Sequence, residues 1–324
     1  MSKFSVHNKN NINDTNGKKD ILNLNLFGID FKNPVFLAAG VMGETGSAMR
    51  RIAKNGAGAV CTKSIGIEKK PGHNNPTMVE VEGGFLNAMG LPNPGIDEYI
   101  DEIEYIRKQM KDLNVKVIGS IYGKNEKEFE KVAETIAEHV DLIELNISCP
   151  HAGGGYGSSI GQDCNLSHKV VSTVKNVTKV PVIAKLTPNV TDIKEIATSV
   201  EDAGADGITA INTLGPGMVI DIESKKPILG NIYGGMSGKA VKPIAIKNVY
   251  DIYSAVEIPI IGVGGITTGS DAIEFMMAGA SAVQVGTGVY YRGYEIFNKI
   301  NDEISEYLLK KELKMSEIVG CVHN

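Results

Sequence analysis

From residue 34 onward, short apolar runs alternate with longer amphipathic stretches. The runs are VFLAAGV (35–41), AGAVCTKS (57–64), VKVIGSIY (115–122), LIELNISC (142–149), PVIAKL (181–186), GITAINT (207–213), PIIGVGG (259–265) and AVQVGT (282–287), eight in all. Near-continuous apolar runs suit parallel strands buried on both faces. The stretches between them include Glu126–His139, Asp192–Ala203, Lys242–Ala255 and Ser270–Ala278. In the first, Phe129, Val132, Ala133 and Ile136 recur at helical spacing. Two of these stretches end in Ala-Gly (203–204 and 278–279), as a helix does before it turns into the next strand.

Eight β-α units predict an α/β chain folded as a (β/α)8 TIM barrel with an outer ring of helices. An open doubly wound sheet would rarely need eight parallel strands. Leu22–Leu26 and Ile29–Phe31 flank Phe27-Gly28, which predicts a β-hairpin plugging the barrel bottom. Two intervals are long, residues 65–114 (with one helix, about 97–112) and residues 214–241. Insertions after barrel strands belong at the C-terminal face, where active sites are built. Residues 1–20, polar and rich in Asn and Lys, read as a frayed arm, and 21–324 as one domain.

Composition narrows the partners. A net charge of -5 argues against a general nucleic-acid binder. No run approaches the ~20 apolar residues of a membrane span, and the N-terminus lacks the apolar core of a signal peptide. The four cysteines are few and irregularly spaced, which suits a reducing cytoplasm.

The strand ends carry the chemistry. Ala39-Gly40, Lys63-Ser64, Ser120, Asn146 with Cys149, Lys185, Asn212-Thr213, Gly264-Gly265 and Gly286-Thr287 close the eight runs in order. One such lysine alone could be a snorkelling side chain. Two lysines, two asparagines and a cysteine around one mouth point to a site. The glycines after runs seven and eight, each followed by a helical segment, fit a phosphate, because glycine admits close approach of backbone N–H groups and a helix N-terminus favours an anion. A flavin mononucleotide fits the rest, since Lys185 could stabilise the charge of the reduced ring. A phosphorylated sugar would also fit, but would more often need a paired acid and base. The only carboxylate found near a mouth is Glu144, deeper on the face of Asn146.

Cys149 admits several roles. Cys149, His151, Cys164 and His168 offer four metal ligands, but Cys-x-His is not a usual zinc spacing and Gly153–Gly157 would make a loose cage, so no metal is expected. A buried structural thiol is the bland alternative. A thiol in a cleft at a strand mouth could instead take a proton from a carbon acid beside a flavin. His151 is either a neighbour that tunes it or a loop residue.

Seven segments carry a resemblance: TKS (62–64), NAMGLPNPG (87–95), ELNISCP (144–150), KLTPNVTDI (185–193), ADGITAINT (205–213), KPILGNIYGGMSGKAVKPIA (226–245) and PIIGVGGITTGSDAIEFMMAGASAVQVGT (259–287). From residue 22 to 310 the chain resembles the class 1 dihydroorotate dehydrogenases, flavin-containing barrels that oxidise dihydroorotate to orotate in pyrimidine synthesis. The resemblance implies that Cys149 removes a C5 proton while FMN accepts the C6 hydride. It implies that Lys63, Asn87, Met89, Gly90, Leu91, Asn146, Asn212 and Thr213 hold the pyrimidine and its carboxylate. Ala39, Gly40, Lys63, Ser64, Ser120, Asn146, Lys185, Ile211, Gly238, Gly264, Gly265, Gly286 and Thr287 would contact FMN.

Two positions depart from the family pattern. His151 stands where Asn is commoner; Cys-Pro-His and Gly161-Gln162-Asp163 are similar to the pyrimidine-reducing domain of dihydropyrimidine dehydrogenase, which makes uracil-type pyrimidines the alternative substrate. Residue 120 is Ser where NAD-linked relatives usually carry Asn. The two-subunit, NAD-linked branch is the most similar, which implies an iron–sulfur flavoprotein partner around a homodimeric core; a homodimer using fumarate is the alternative. A non-catalytic barrel binding a phosphorylated ligand would keep the glycines but would not need Cys149, Lys63 and Lys185.

Overall fold

The computed structural model describes residues 21–147 and 160–323. The arm read over residues 1–20, and the Cys149–His151 segment with its glycines, lie outside the described residues. Sixteen strands are named here: β1 (Leu24–Leu26), β2 (Ile29–Phe31), β3 (Val35–Leu37), β4 (Ala59–Cys61), β5 (Met78–Val81), β6 (Gly84–Asn87), β7 (Lys116–Ile121), β8 (Leu142–Asn146), β9 (Val182–Leu186), β10 (Gly207–Ala210), β11 (Leu214–Gly217), β12 (Ile220–Asp221), β13 (Lys226–Pro227), β14 (Gly234–Ser237), β15 (Ile260–Val263) and β16 (Ala280–Val285).

Eight of them, in the order β3-β4-β7-β8-β9-β10-β15-β16, close into a parallel barrel. Each falls within or against one of the eight apolar runs, so the barrel expectation holds. Seven of the eight runs overshoot at their C-terminal ends, as with LIELNISC, whose strand stops at Asn146; PVIAKL ends with its strand at Leu186. Helices Glu126–Ile136, Cys164–Val177 and Ile193–Asp202 form where Asn125, Asp163 and Asp192 cap them, each side chain accepting a backbone N–H of the first turn.

Alternate strand residues face opposite ways. Val60, Val117, Ile143, Val182, Ile208 and Val283 join the cluster between strands and helices. Phe36, Ala59, Ile118, Leu142, Ile183, Ile261 and Ala282 form a separate inner cluster with Leu26 and Phe31 of the antiparallel β1–β2 hairpin. The ring of Phe27 lies so near the start of β10 that a β-carbon at Gly207 would stand 2.4 Å from it. The hairpin therefore plugs the barrel, as its sequence predicts.

The insertions hold more structure than the sequence suggests. The 65–114 interval contains the β5–β6 hairpin as well as its helix, Ile96–Met110. The 214–241 interval contributes β11 and β14. Together they make one sheet, β11-β14-β6-β5, in which Gly235, Met236 and Ser237 pair antiparallel with Asn87, Leu86 and Phe85. Leu86, Ala88 and Leu229 give it a small core of its own.

Candidate active site

Two residues beyond the apolar inner cluster, each barrel strand presents its next inward side chain. Here the interior turns polar. Glu144 on β8 is fully buried, and its carboxylate receives four donors. Its Oε1 accepts from Lys185 Nζ at 3.4 Å and from the Cys61 thiol at 3.7 Å. Its Oε2 accepts from Gln284 Nε2 at 2.8 Å and Thr209 Oγ1 at 3.0 Å. Four donors match the roughly four lone-pair sites of a carboxylate. Burial and the neighbouring Glu144 charge push the Cys61 thiol well above its ordinary range, so it stays protonated and donating.

Lys185 is 5% exposed, and its contact with Glu144 uses one of its three donors. Gln284 Oε1, also buried, has no hydrogen-bond partner among the described residues. The layer is closed from below and open in its bonding from above.

Above it runs a chain of polar side chains. Ser120 and Ser64 hydroxyls stand 2.9 Å apart. Asn146 Nδ2 donates to Ser64 Oγ at 3.0 Å, Asn212 Nδ2 donates to Asn146 Oδ1 at 3.3 Å, and Asn212 Oδ1 accepts from the Thr213 backbone at 2.8 Å. Four separate barrel strands thus bring five of the expected site residues together. Ser120 is fully buried behind Ser64, one step removed from the mouth.

Lys63, 8% exposed, is paired with the carboxylate of Glu44, an exposed side chain on the loop after β3. That corrects the reading of Glu144 as the one carboxylate near the mouth: Glu44 is a second, and nothing in its spacing from Lys63 announces the pair. Asn87, at the end of β6, donates to the Gly235 carbonyl at 3.4 Å. A β-carbon at Gly235 would lie 2.2 Å from Thr213 Oγ1, so Asn87 and Thr213 approach one another across β14. Met89 is exposed, with Gly90 and Leu91 both at positive φ. His73, missed in the sequence, braces this turn: its backbone N–H donates to the Met89 carbonyl at 3.0 Å, and its Nδ1 lies 3.2 Å from the Ala88 carbonyl.

Of the glycines after β15, Gly265 lies against Gly238. Gly265 has φ +73, and a β-carbon on it would lie 2.7 Å from the Gly238 carbonyl; one on Gly238, at φ +104, would lie 2.5 Å from Gly84 Cα. Only glycines allow this close approach of three loops. Gly264 stands beside Ile211, and Thr287 Oγ1 donates to Ser237 Oγ at 3.0 Å. Ala39 packs against the inner cluster and the neighbouring Gly40 is exposed, with Gly286 facing Ala38. One expectation fails here. The helix Gly269–Met277 does not offer its N-terminus to an anion, because its own side chains fill it: Asp271 accepts from the backbone of Thr267 and Thr268, and Glu303 accepts from Gly269. The signal was present as Thr268-x-x-Asp271, a capping box that satisfies its own N–H groups.

A barrel whose interior passes from apolar to charged just beneath a ring of asparagines, lysines and glycines can bind a planar, polar ligand with an anionic tail. Comparison with known proteins gives the family. The family model for dihydroorotate dehydrogenase matches residues 21–308. The chain belongs to the dihydroorotate dehydrogenase family. It is 63% identical over 303 residues to the dihydroorotate dehydrogenase B (NAD(+)) catalytic subunit of Methanocaldococcus jannaschii, covering 94% of this chain and 98% of that one. The catalytic subunits of the same name from Methanothermobacter thermautotrophicus and Pyrococcus abyssi are 50% and 52% identical, covering 94% and 93% of this chain and 99% and 98% of theirs. The fold matches a dihydroorotate dehydrogenase from Eimeria tenella, solved in complex with ferulenol, with a TM-score of 0.82 at 24% identity, over 96% of this chain and 91% of that one. The resemblance read from the seven motifs is thereby borne out, and these likenesses support an NAD-linked dihydroorotate dehydrogenase. Among the described residues, no helix is long and apolar enough to cross a membrane.

Proposed function

We propose that this chain is the catalytic subunit of a cytoplasmic NAD-linked dihydroorotate dehydrogenase, holding FMN at the barrel mouth and working with an iron–sulfur flavoprotein partner around a homodimeric core. The observation that carries the FMN reading is the unfinished polar layer. Lys185 has donors to spare, Gln284 Oε1 lacks a partner among the described residues, and Gly264 and Gly265 leave half-buried backbone at the end of β15. A flavin mononucleotide matches all three: a ring edge that takes donors from a lysine, polar ring atoms, and a phosphate for the glycine loops.

When bound, FMN supplies the hydride acceptor. The rest is the work of side chains. Cys149 removes the C5 proton of dihydroorotate as a thiolate. Asn87, Asn146, Asn212 and Thr213 offer donors and acceptors to the imide edge, with Met89, Gly90 and Leu91 beside them. Lys63 pairs with the substrate carboxylate, which must displace Glu44 from it. Ala39, Gly40, Ser64, Ile211, Gly264, Gly286 and Thr287 line the flavin, and Ser120 supports it through Ser64.

Denaturing the purified protein should release FMN, and stopped-flow flavin reduction should separate the substrates. Dihydrouracil lacks the carboxylate, so it cannot form the charge-assisted pair with Lys63, which stays on Glu44. It should reduce the flavin at least ~100-fold less efficiently than dihydroorotate, about 2.7 kcal/mol. Release of no flavin sinks the cofactor assignment; equal efficiency for dihydrouracil sinks the substrate assignment.

A further inference from the structure

Lys185 meets the flavin in the reading above, and the structure shows what stands on its other side. Glu144 is a full negative charge enclosed in the barrel, with 0% exposure, one strand away from Lys185. It does not depend on the lysine for its place. Thr209, Gln284 and Cys61 bind it from three other strands, the first two at shorter distances than the lysine does. The carboxylate is therefore a fixed point, and the Lys185 ammonium leans on it at 3.4 Å. In so dry a place, charges act over several ångströms with little screening.

Resting on the FMN reading, we propose that Glu144 is a positioning residue that anchors the Lys185 ammonium and, as its counter-charge, sets the reduction potential of the bound flavin. A lysine alone at the ring edge would favour the reduced flavin, which carries more negative charge than the oxidised form. A carboxylate behind the lysine offsets part of that preference. The enzyme must pass its electrons on to a partner, so a flavin that holds them too tightly would stall. The Glu144–Lys185 pair places the potential between these limits, and the donors around Glu144 keep the offset constant.

The test is the midpoint potential of FMN in the holoenzyme, measured by equilibration with reference dyes, in wild type and four variants. In Glu144→Gln the counter-charge is gone and the shape is kept. The apoprotein's preference for reduced over oxidised flavin should rise at least tenfold, which raises the potential by about 30 mV for a two-electron couple. In Glu144→Asp the charge remains and the reach shortens: FMN should bind more weakly while the potential stays within about 10 mV of wild type, a roughly twofold change. Should Glu144→Gln not fold, the double variant Glu144→Gln/Lys185→Met, which removes both charges together, is compared with Lys185→Met. The double variant should again lie about 30 mV higher. An unchanged or lowered potential in Glu144→Gln, or no rise in the double variant over Lys185→Met, overturns the proposal. A wild-type protein that binds no FMN would instead overturn the cofactor reading on which it rests.

Discussion

Two consecutive layers inside the same barrel obey different rules. The lower one, with Ala59, Ile118, Leu142, Ile183, Ile261 and Ala282, is apolar and sealed by Leu26 and Phe31 of the hairpin. Two residues along the same strands stand Cys61, Ser120, Glu144, Lys185, Val263 and Gln284, all buried, and all but Val263 polar or hydrogen-bonding. Backbone geometry and burial are the same in both. What differs is what lies above. The lower layer touches only more protein, so hydrophobic packing decides its residues. The upper layer borders the mouth, and its polar groups are retained although an apolar layer would be simpler to bury. The contrast separates residues that make the barrel from residues that make it useful.

The sharpest way to break this contrast is to make the upper layer obey the lower layer's rule at one position. Glu144→Leu removes the acceptor of four donors and leaves the Lys185 ammonium buried without a counter-charge. Such a change costs about 3–5 kcal/mol in comparable buried pairs. Adding Lys185→Met should recover much of the loss, because removing both partners removes the stranded charge. Chemical denaturation of the apoproteins gives both numbers. Full stability in Glu144→Leu alone would mean that the network is ornamental.

The reverse intervention acts on the lower layer. Leu142 is fully buried two residues below Glu144 on β8, facing the plug. Leu142→Ala should cost about 2–4 kcal/mol through lost burial and the cavity left behind. FMN affinity and flavin potential should stay close to wild type, since no polar group is disturbed. Fluorescence titration with FMN alongside urea unfolding would show whether the layers are separable; a large loss of flavin affinity would show that they are not.

How much of this was legible in the chain follows from the same contrast. The strands were legible because burial on both faces leaves an apolar run, and a single Glu144 or Lys185 within it does not hide the pattern. The mouth was legible because polar residues end those runs. The closure of the network was not, since which donors meet Glu144 depends on the stagger of strands that are distant in sequence; counting back two from Lys63, Ile211 and Gly286 would have found Cys61, Thr209 and Gln284. The β11-β14-β6-β5 sheet was hidden because β14, Gly-Gly-Met-Ser, carries no strand signal of its own and pairs with β6 far upstream. The Glu44–Lys63 pair was hidden because it joins a loop to a strand end with no periodic relation.

Acid sharpens the comparison at the smallest scale. The apolar cluster at the hairpin end of the barrel interior holds no carboxylate, whereas the loop after β15 is held by two. Burial works to raise the Asp271 carboxyl, but the Lys242 ammonium and the N–H and hydroxyl donors of Thr267 and Thr268 outweigh it and hold it down to about 2, against an ordinary 3.8. Burial also opposes ionisation of Glu303, yet Arg292 and the Gly269 N–H keep its carboxyl below the usual range. A carboxyl lowered on folding contributes stability that is fully present above its unfolded value. That stability is lost as pH falls through the folded value, here from about pH 4 towards pH 2 for Asp271. The shift corresponds to about 2 kcal/mol at neutral pH. Asp271→Asn should therefore be less stable than wild type by roughly that amount at pH 7, with the gap narrowing towards pH 3. Hydrogen exchange should place the loss at the Thr267–Gly269 amides, which the carboxylates accept from, and leave the amides of β1 and β2 unchanged. A gap that stays constant with pH would assign the effect to packing, and equal loss of protection at the hairpin would mean that the two ends of the barrel open together.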